Sequence, residues 1–263
     1  MMKQLFATCG AILFLLFGCA GHKDPGAIKP MQPAPKSAMD ITPDSVVATL
    51  EQTNSGLTSF KGIGRIKIWN QNGLQSTRIV WAGYQREKLR LEILGIGGRP
   101  FSSVVYDGSR LYLSLHSERR FYQKQTRKAD LSRLISIPIT VHDVLSILAG
   151  RVPLLKNASL TIEKEPSGDR YILLLKKGWL RKRTGKIYLR EDMKTVWKYE
   201  LFQGKNTLLY RVEFLGRRPY GDYQLPDTLL FSNDLQTRIQ IDVDNIWPDA
   251  KLPPSVFVLK PPG

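Results

Sequence analysis

From about residue 60 onward, apolar and polar residues alternate along most of the chain. The clearest example is Lys88–Leu94, in which every second residue is apolar and the intervening ones are charged. A period of two is typical of a β-strand with one buried and one solvated face. Turn residues separate such segments at intervals of about 8–12 residues, as between consecutive antiparallel strands. We therefore predict about eleven strands in one domain.

Three segments have helical spacing instead. They cover about residues 43 to 54, with Thr42 or Asp44 as the N-cap, about 130 to 135, and about 140 to 150. A single sheet of so many strands accumulates too much twist to stay flat. The pattern thus predicts a mainly β, α+β fold. We expect one curled antiparallel sheet, or half-open β-barrel, with a helical plug or lid on its concave side.

The N-terminal residues have a different pattern. Lys3 precedes an apolar run that ends at Phe17. This run is too short for a comfortable membrane span and is typical of a secretory signal peptide. Leu16-Phe17-Gly18-Cys19 resembles a bacterial lipobox, which implies cleavage before Cys19 and acylation of its thiol. An ordinary signal peptide or an uncleaved anchor is the alternative.

These features predict three parts: a lipoprotein signal peptide at residues 1–18, a lipid-anchored Pro-rich tether at 19–42, and a folded domain at 43–263. The residue after the lipobox cysteine is Ala20, whereas Asp at this position retains lipoproteins in the inner membrane of enteric bacteria. The resemblance to lipoproteins therefore implies the periplasmic face of the outer membrane, with Cys19 as the lipid anchor.

Composition and charge limit the partners and reactions that this chain can have. The chain has 263 residues and a net charge of +16, which suits nucleic acid, an anionic phospholipid surface or an acidic protein. Export makes nucleic acid an improbable partner. Both cysteines, Cys9 and Cys19, lie in the N-terminal segment, which excludes a disulfide framework and a cysteine nucleophile in the folded domain. The three histidines are scattered and no catalytic motif occurs, so we expect no enzyme activity, no metal and no cofactor.

Four segments carry a resemblance to a known family. Gly56–Arg65 and Tyr84–Gly95 resemble the first and third strands of the LolB family of outer-membrane lipoprotein receptors, within the wider LolA/LolB-like group. Ile135–Gly150 is similar to a helical segment of that family, and Arg238–Trp247 to its last strand. The resemblance covers about residues 44–247.

Two features depart from the family pattern. Glu92-Ile93 stands where the family usually has Asn-Pro before a Leu-Gly loop. The C-terminal segment from Pro253 onward is more similar to the LolA-like carrier branch. These departures leave the family member open.

The resemblance implies a monomeric lipoprotein that accepts the acyl chains of other lipoproteins in a hydrophobic cavity and helps to insert them into the outer membrane. A periplasmic LolA-like carrier is a candidate donor. The alternative is a structural or assembly lipoprotein that uses the same fold to bind another lipid or a protein. Because a register error of one residue exchanges the two faces of a strand, ordinary core positions remain the alternative for the cavity lining. The candidate lining residues are Leu89, Leu91, Ile93, Val105, Leu113, Leu145, Leu148, Leu173, Leu175 and Trp197.

Two loops are candidate membrane contacts. The resemblance implies that the Gly-rich loop with Leu94 and Ile96 enters the membrane; a plain turn with a buried Leu94 is the alternative. A second loop combines cations with a Trp, which favours an anionic phospholipid surface. A solvated hairpin or a docking site for an acidic protein would also fit. Its residues include Lys176, Lys177, Trp179, Arg181, Lys182 and Arg183.

Overall fold

Thirteen antiparallel strands form one sheet in the part of the chain that the structure describes. The computed structural model describes residues 42–261, apart from 72, 167, 179–181, 205 and 236. The signal peptide, Cys19, nearly all of the tether, and Trp179 and Arg181 of the basic loop lie outside these residues. None of the described helices is long and apolar enough to cross a bilayer.

The strands are β1 (Ser59–Asn70), β2 (Gly73–Tyr84), β3 (Lys88–Leu94), β4 (Pro100–Tyr106), β5 (Arg110–Leu115), β6 (Arg120–Gln125), β7 (Ser159–Lys164), β8 (Tyr171–Lys177), β9 (Arg183–Leu189), β10 (Val196–Gln203), β11 (Thr207–Tyr220), β12 (Tyr223–Ser232) and β13 (Arg238–Pro248). The mainly β fold with one curled antiparallel sheet and three helices is confirmed, but the predicted count of about eleven strands is too low. The edge strands β6 and β7 have six residues each and are mostly exposed.

The three helices are α1 (Pro43–Gln52), α2 (Ser132–Ile135) and α3 (Val141–Leu148). Thr42 caps α1 by accepting a hydrogen bond from the Ser45 amide at 3.2 Å. Thr140 caps α3 in the same way, with the Asp143 amide at 3.2 Å. All three helices therefore begin within two residues of the positions that their capping residues and apolar spacing predict.

The strand order explains where the helices must lie. The order is β6-β5-β4-β3-β2-β1-β13-β12-β11-β10-β9-β8-β7, so β1 and β13 are central neighbours while β6 and β7 are the edges. The segment from 126 to 158 joins one edge to the other and carries α2 and α3. Because it connects opposite edges, it has to cross one face of the sheet, and we call this the inner face.

The sheet curls around that segment. Flat, thirteen strands would span about 58 Å at about 4.8 Å per strand, whereas the eight residues of α3 extend only about 12 Å. Yet β1 to β5 and β7 to β13 all contribute to one apolar cluster with the three helices. Only a strongly curved sheet brings so many strands to such short helices, as accumulated twist requires.

The outer face has its own small apolar cluster. Ala82 and Val105 are buried there beneath Phe257, which belongs to the C-terminal segment after β13. Arg90 fixes this segment by donating a hydrogen bond from Nη1 to the Val256 carbonyl at 2.7 Å. The C-terminal residues thus cover β2 to β4 on the side opposite the helices.

Close packing of α3 on β2 depends on a glycine. A Cβ at Gly83 would lie 2.5 Å from Phe60 Cζ and 2.9 Å from Leu145 Cδ2. Gly83→Ala should therefore lower the free energy of unfolding by about 1–3 kcal/mol through overpacking. Gly168→Ala, which meets no atom within 4 Å, is the control. Urea unfolding measures both variants, and equal stabilities would contradict this packing.

Candidate functional site

An apolar cavity of about 80 Å³ lies between the helices and the inner face of the sheet. Strands β1 to β4, β12 and β13 form its floor, and the segment around α2 and α3 forms its roof. Every side chain in its wall is apolar. The lining residues are Ile66, Ile79, Leu91, Val104, Leu131, Leu134, Ile135, Ile139, Val144, Leu148, Phe231, Ile239 and Ile241.

The residues predicted to line a cavity are distributed over a larger area. Leu91 and Leu148 do line it. The inner-face core around it buries Leu89, Leu145, Leu173 and Leu175. Ile93 pairs with Ile79, and Leu113 pairs with Val104. Because Ile79 and Val104 line the cavity, the half-buried side chains of Ile93 and Leu113 also lie on the inner face. Eight of the ten candidates therefore belong to the helix-covered side of the sheet.

The predicted cavity lining is wrong for Val105 and Trp197, because both lie on the outer face. Val105 follows the inward-facing Val104 and packs with Phe257. A register shift between Val196 and Lys198 interrupts the alternation of β10. Trp197 consequently packs edge-on against the ring of Tyr188, 5.7 Å away between centroids, on the side opposite the helices. A bulge of this kind leaves no signature in the apolar pattern.

A larger groove of about 590 Å³ opens beside the cavity, between β5, β6 and α2. Leu111, Leu113 and Leu115 form its apolar wall. Leu134 of α2 lines both this groove and the apolar cavity, so the two spaces meet at this side chain. The sequence analysis missed Leu134, although its place in a short apolar helix crossing the sheet was the available signal.

The residues on both sides of α2 are deeply buried: Leu131, Ile137 and Ile139 are at most 2% exposed. The helix has only four residues, far fewer than an isolated helix needs to be stable. Asn233 donates a hydrogen bond from Nδ2 to the Ser136 carbonyl at 2.6 Å, and the Leu131 amide donates to the Ile139 carbonyl at 2.9 Å. The segment is therefore anchored by the buried residues on either side of α2, whereas the four-residue helix between them has no buried residue of its own.

The predicted membrane loops lie at one end of the sheet. Because all neighbouring strands are antiparallel, the turns after β1, β3, β5, β8, β10 and β12 share this end, which we call the tip end. Leu94 is half-buried there, whereas Ile96 in the following turn is fully exposed. Gly97 and Gly98 have φ values of +76° and +75°, which glycine adopts without strain.

The basic loop is also at the tip end. Lys176 and Lys177 end β8, Lys182 directly precedes β9, Arg183 begins it, and all four are exposed. Sequence analysis missed two exposed apolar side chains at this end, Leu74 and Leu235, of which 57% and 79% are accessible. Leu235 could have been identified from the sequence, because it is an apolar residue within a segment of turn residues.

A carboxylate is enclosed at the start of α3. Burial raises the pKa of Asp143, and it also raises the pKa of the fully buried Tyr199 and Tyr210, with the Asp143 charge adding to the effect on both phenols. The interior is thus not uniformly apolar: it changes from hydrocarbon around α2 to hydroxyl and carboxyl groups below α3.

The raised pKa of Asp143 sets the sign of a pH effect. A carboxyl whose pKa is higher in the folded state contributes most stability below its ordinary value of 3.8, and that contribution is lost as the pH rises through the folded value. Relative to the parent protein, Asp143→Asn should therefore raise the free energy of unfolding more at about pH 7 than at about pH 4. Asp44→Asn, in the first turn of α1 and exposed, is the control. Urea unfolding at both pH values measures this, and a gain independent of pH would contradict it.

Several solved structures share this fold. A domain from Vibrio parahaemolyticus, named for outer membrane lipoprotein sorting, superposes with a TM-score of 0.61 and 12% identity over 81% of this chain and 94% of that chain. A LolA superfamily protein from Nitrosomonas europaea gives 0.59 and 14% identity over 83% and 98% of the two chains. A DUF1329 family protein from Desulfovibrio piger gives 0.57 and 10% identity over 81% and 94%.

In contrast, no protein-family model matches the sequence, and no curated protein is significantly similar to it. At such low identities the structural likeness concerns the fold. The chain therefore has a LolA-like fold: a curled antiparallel sheet with short helices on its inner face.

Proposed function

We propose that this protein binds the acyl chains of lipoproteins between α2 and the inner face of the sheet and delivers them to the outer membrane, in the manner of a LolB-like receptor. The observation that carries the proposal is the wholly apolar cavity beneath α2. An apolar cavity stays dry and accepts hydrocarbon. The role is non-catalytic, since transfer of an acyl chain from one apolar site to another keeps each CH₂ out of water and needs no reaction.

Acyl-chain binding requires α2 to move. The cavity of about 80 Å³ equals the liquid volume of about three water molecules, which is far less than a lipid chain occupies. Displacing Leu134 would join it to the neighbouring groove of about 590 Å³. The free energy for the displacement comes from the chain itself, because each buried CH₂ contributes about 0.8 kcal/mol. In this proposal α2 is a lid that an incoming chain replaces.

The proposal also includes an anchor and an orientation. Acylation of Cys19 holds the protein on the periplasmic face of the outer membrane, and the tip end faces the bilayer. Exposed Ile96, Leu74 and Leu235 supply apolar contacts at this end. The lysines and arginine that flank the turn between β8 and β9 contribute about 1 kcal/mol each near anionic headgroups. A periplasmic LolA-like carrier remains the candidate donor of cargo.

A larger side chain in the cavity wall tests acyl-chain binding. Val104→Phe fills space beneath α2 and should weaken binding of a fluorescent long-chain fatty acid by about tenfold, equivalent to about 1.4 kcal/mol. Val80→Phe is the matched control, since Val80 is also half-buried on a strand but alternates with the inward-facing Ile79 and Trp81. Equal affinities of the two variants, or no binding by the parent protein, would exclude the cavity as the site.

Exposed Ile96 allows a test of the membrane contact. Ile96→Asp should leave the fold unchanged and weaken binding to phosphatidylglycerol vesicles by about tenfold or more, because burying an Ile contributes about 1.5–3 kcal/mol. The parent protein and each variant carry Cys19→Ser, so that binding through the lipid anchor does not hide the contribution of the loop. Val258→Asp, at an exposed apolar position on the C-terminal segment, is the control. Sedimentation with vesicles measures the binding, and an unaffected Ile96→Asp protein would refute the orientation.

The cellular role has its own test. Depletion of the protein in its native host should leave other lipoproteins undelivered to the outer membrane. A structural or assembly lipoprotein would instead leave lipoprotein localisation intact and copurify without acyl chains.

A further inference from the structure

A second, polar groove of about 600 Å³ lies at the end of the sheet opposite the tip end. The second half of α1, the first turn of α3, the turn between β2 and β3, and the segment after α3 form its walls. Its charged and imidazole side chains are Glu51, Arg86, Glu87, His142, Asp143, Arg151 and Lys156.

Arg151 is the buried centre of this groove. Only 5% of the residue is exposed. Its Nη1 donates hydrogen bonds to the carbonyl oxygens of Asn54 at 3.0 Å and Leu57 at 3.2 Å, whereas its Nη2 has no hydrogen-bond partner among the described residues. Its Nε is also unpaired but is inaccessible from the groove. A buried donor without a partner costs about 1–3 kcal/mol, and more when it is charged. The guanidinium therefore has unused capacity to donate.

No carboxylate neutralises Arg151. Although Glu51, Glu87 and Asp143 line the groove, none of them forms an ion pair with Arg151 or Arg86 in the described structure. Burial, together with the positive charge of nearby Arg86, lowers the pKa of Arg151 to about 10. Two guanidinium groups of like charge thus line the same groove, an arrangement that an anion would stabilise.

The backbone holds this arrangement in place. Asn54, at φ +49°, donates from Nδ2 to the carbonyls of Ala149 and Gln224 at 3.0 and 2.9 Å, which fixes the loop whose own carbonyl binds Arg151. His142 donates from Nδ1 to the Arg86 carbonyl at 2.9 Å, which fixes the turn that carries Arg86. Both arginines are consequently attached to rigid backbone, so binding an anion would require little reordering.

We infer that this groove binds a phosphate group, held by the free guanidinium N–H groups of Arg151 and by the guanidinium of Arg86. Guanidinium groups donate in a fork geometry that matches phosphate oxygens. The volume exceeds that of the ion, which leaves room for an organic substituent. This site is independent of the proposed acyl-chain cavity, with which it shares no lining residue.

Titration of the full-length protein with inorganic phosphate, and separately with dihexanoyl phosphatidic acid as a soluble lipid phosphate, tests the inference at constant ionic strength. Isothermal calorimetry gives the affinity, and the ring protons of His142, one of only three histidines, report binding within the groove by NMR. We expect saturable binding with a shift of the His142 signals.

Two exposed arginines give a matched pair of variants. Arg86→Gln should weaken binding by about tenfold, whereas Arg119→Gln should leave it unchanged. Both residues are exposed in turns with φ of +57° and +51°, and Arg119 is at the tip end, so each variant loses one charge in the same backbone setting. Neither residue is buried, so both variants should fold.

The two ligands distinguish the source of the phosphate. Binding of inorganic phosphate supports a site for a small or soluble phosphate, and binding of the lipid alone supports a headgroup site. Absence of saturable binding for both ligands would overturn the inference, as would equal weakening by the Arg86 and Arg119 variants. Failure of fatty-acid binding to the apolar cavity would not affect this result.

Discussion

The connection between the two edges of the sheet is the constraint on which this structure depends. The first strand, β1, lies at the centre of the sheet, and β2 to β6 follow outward to one edge. The chain must then reach β7 at the opposite edge before β8 to β13 can follow inward to the position beside β1. The connecting segment cannot avoid crossing one face. Its apolar side chains are buried only if the sheet curls around them, so topology, curvature and the covered interior have a common cause.

This arrangement also determines where a ligand can enter. α3 is capped by Thr140 and buries Val141, Leu145 and Leu148, so it forms the stable part of the cover. α2 is a single turn without a buried residue of its own, held between the buried Leu131 and Ile137. Stability differs between the two because a longer, capped helix with a buried face gains more from packing than one turn can. The weaker element lies over the apolar cavity and beside the open groove.

The two ends of the sheet have different chemistry. The tip end exposes Ile96, Leu74 and Leu235 together with cations, which is a combination suited to a lipid surface. The opposite end holds Arg151 in a polar groove with Arg86. The net charge of +16 is therefore not one uniform property of the chain. The exposed cations at the tip end differ from the buried Arg151, which lies with the exposed Arg86 at the opposite end, and these two settings suit different partners.

The sequence by itself determined the antiparallel sheet, the three helices and the caps Thr42 and Thr140, because periodicity and capping are local properties of the chain. Eight of the ten residues that it proposed for the cavity lining lie on the inner face, and two of them, Leu91 and Leu148, line the cavity. Only the tertiary structure decided that Val105 and Trp197 face outward, that Leu134 lines both the apolar cavity and the neighbouring groove, and that Arg151 and Arg86 line one groove without forming an ion pair among the described residues. These features depend on register, on a bulge and on contacts between residues distant in the chain. Such contacts follow from the packing of the whole sheet, and no local pattern of apolar and polar residues specifies them.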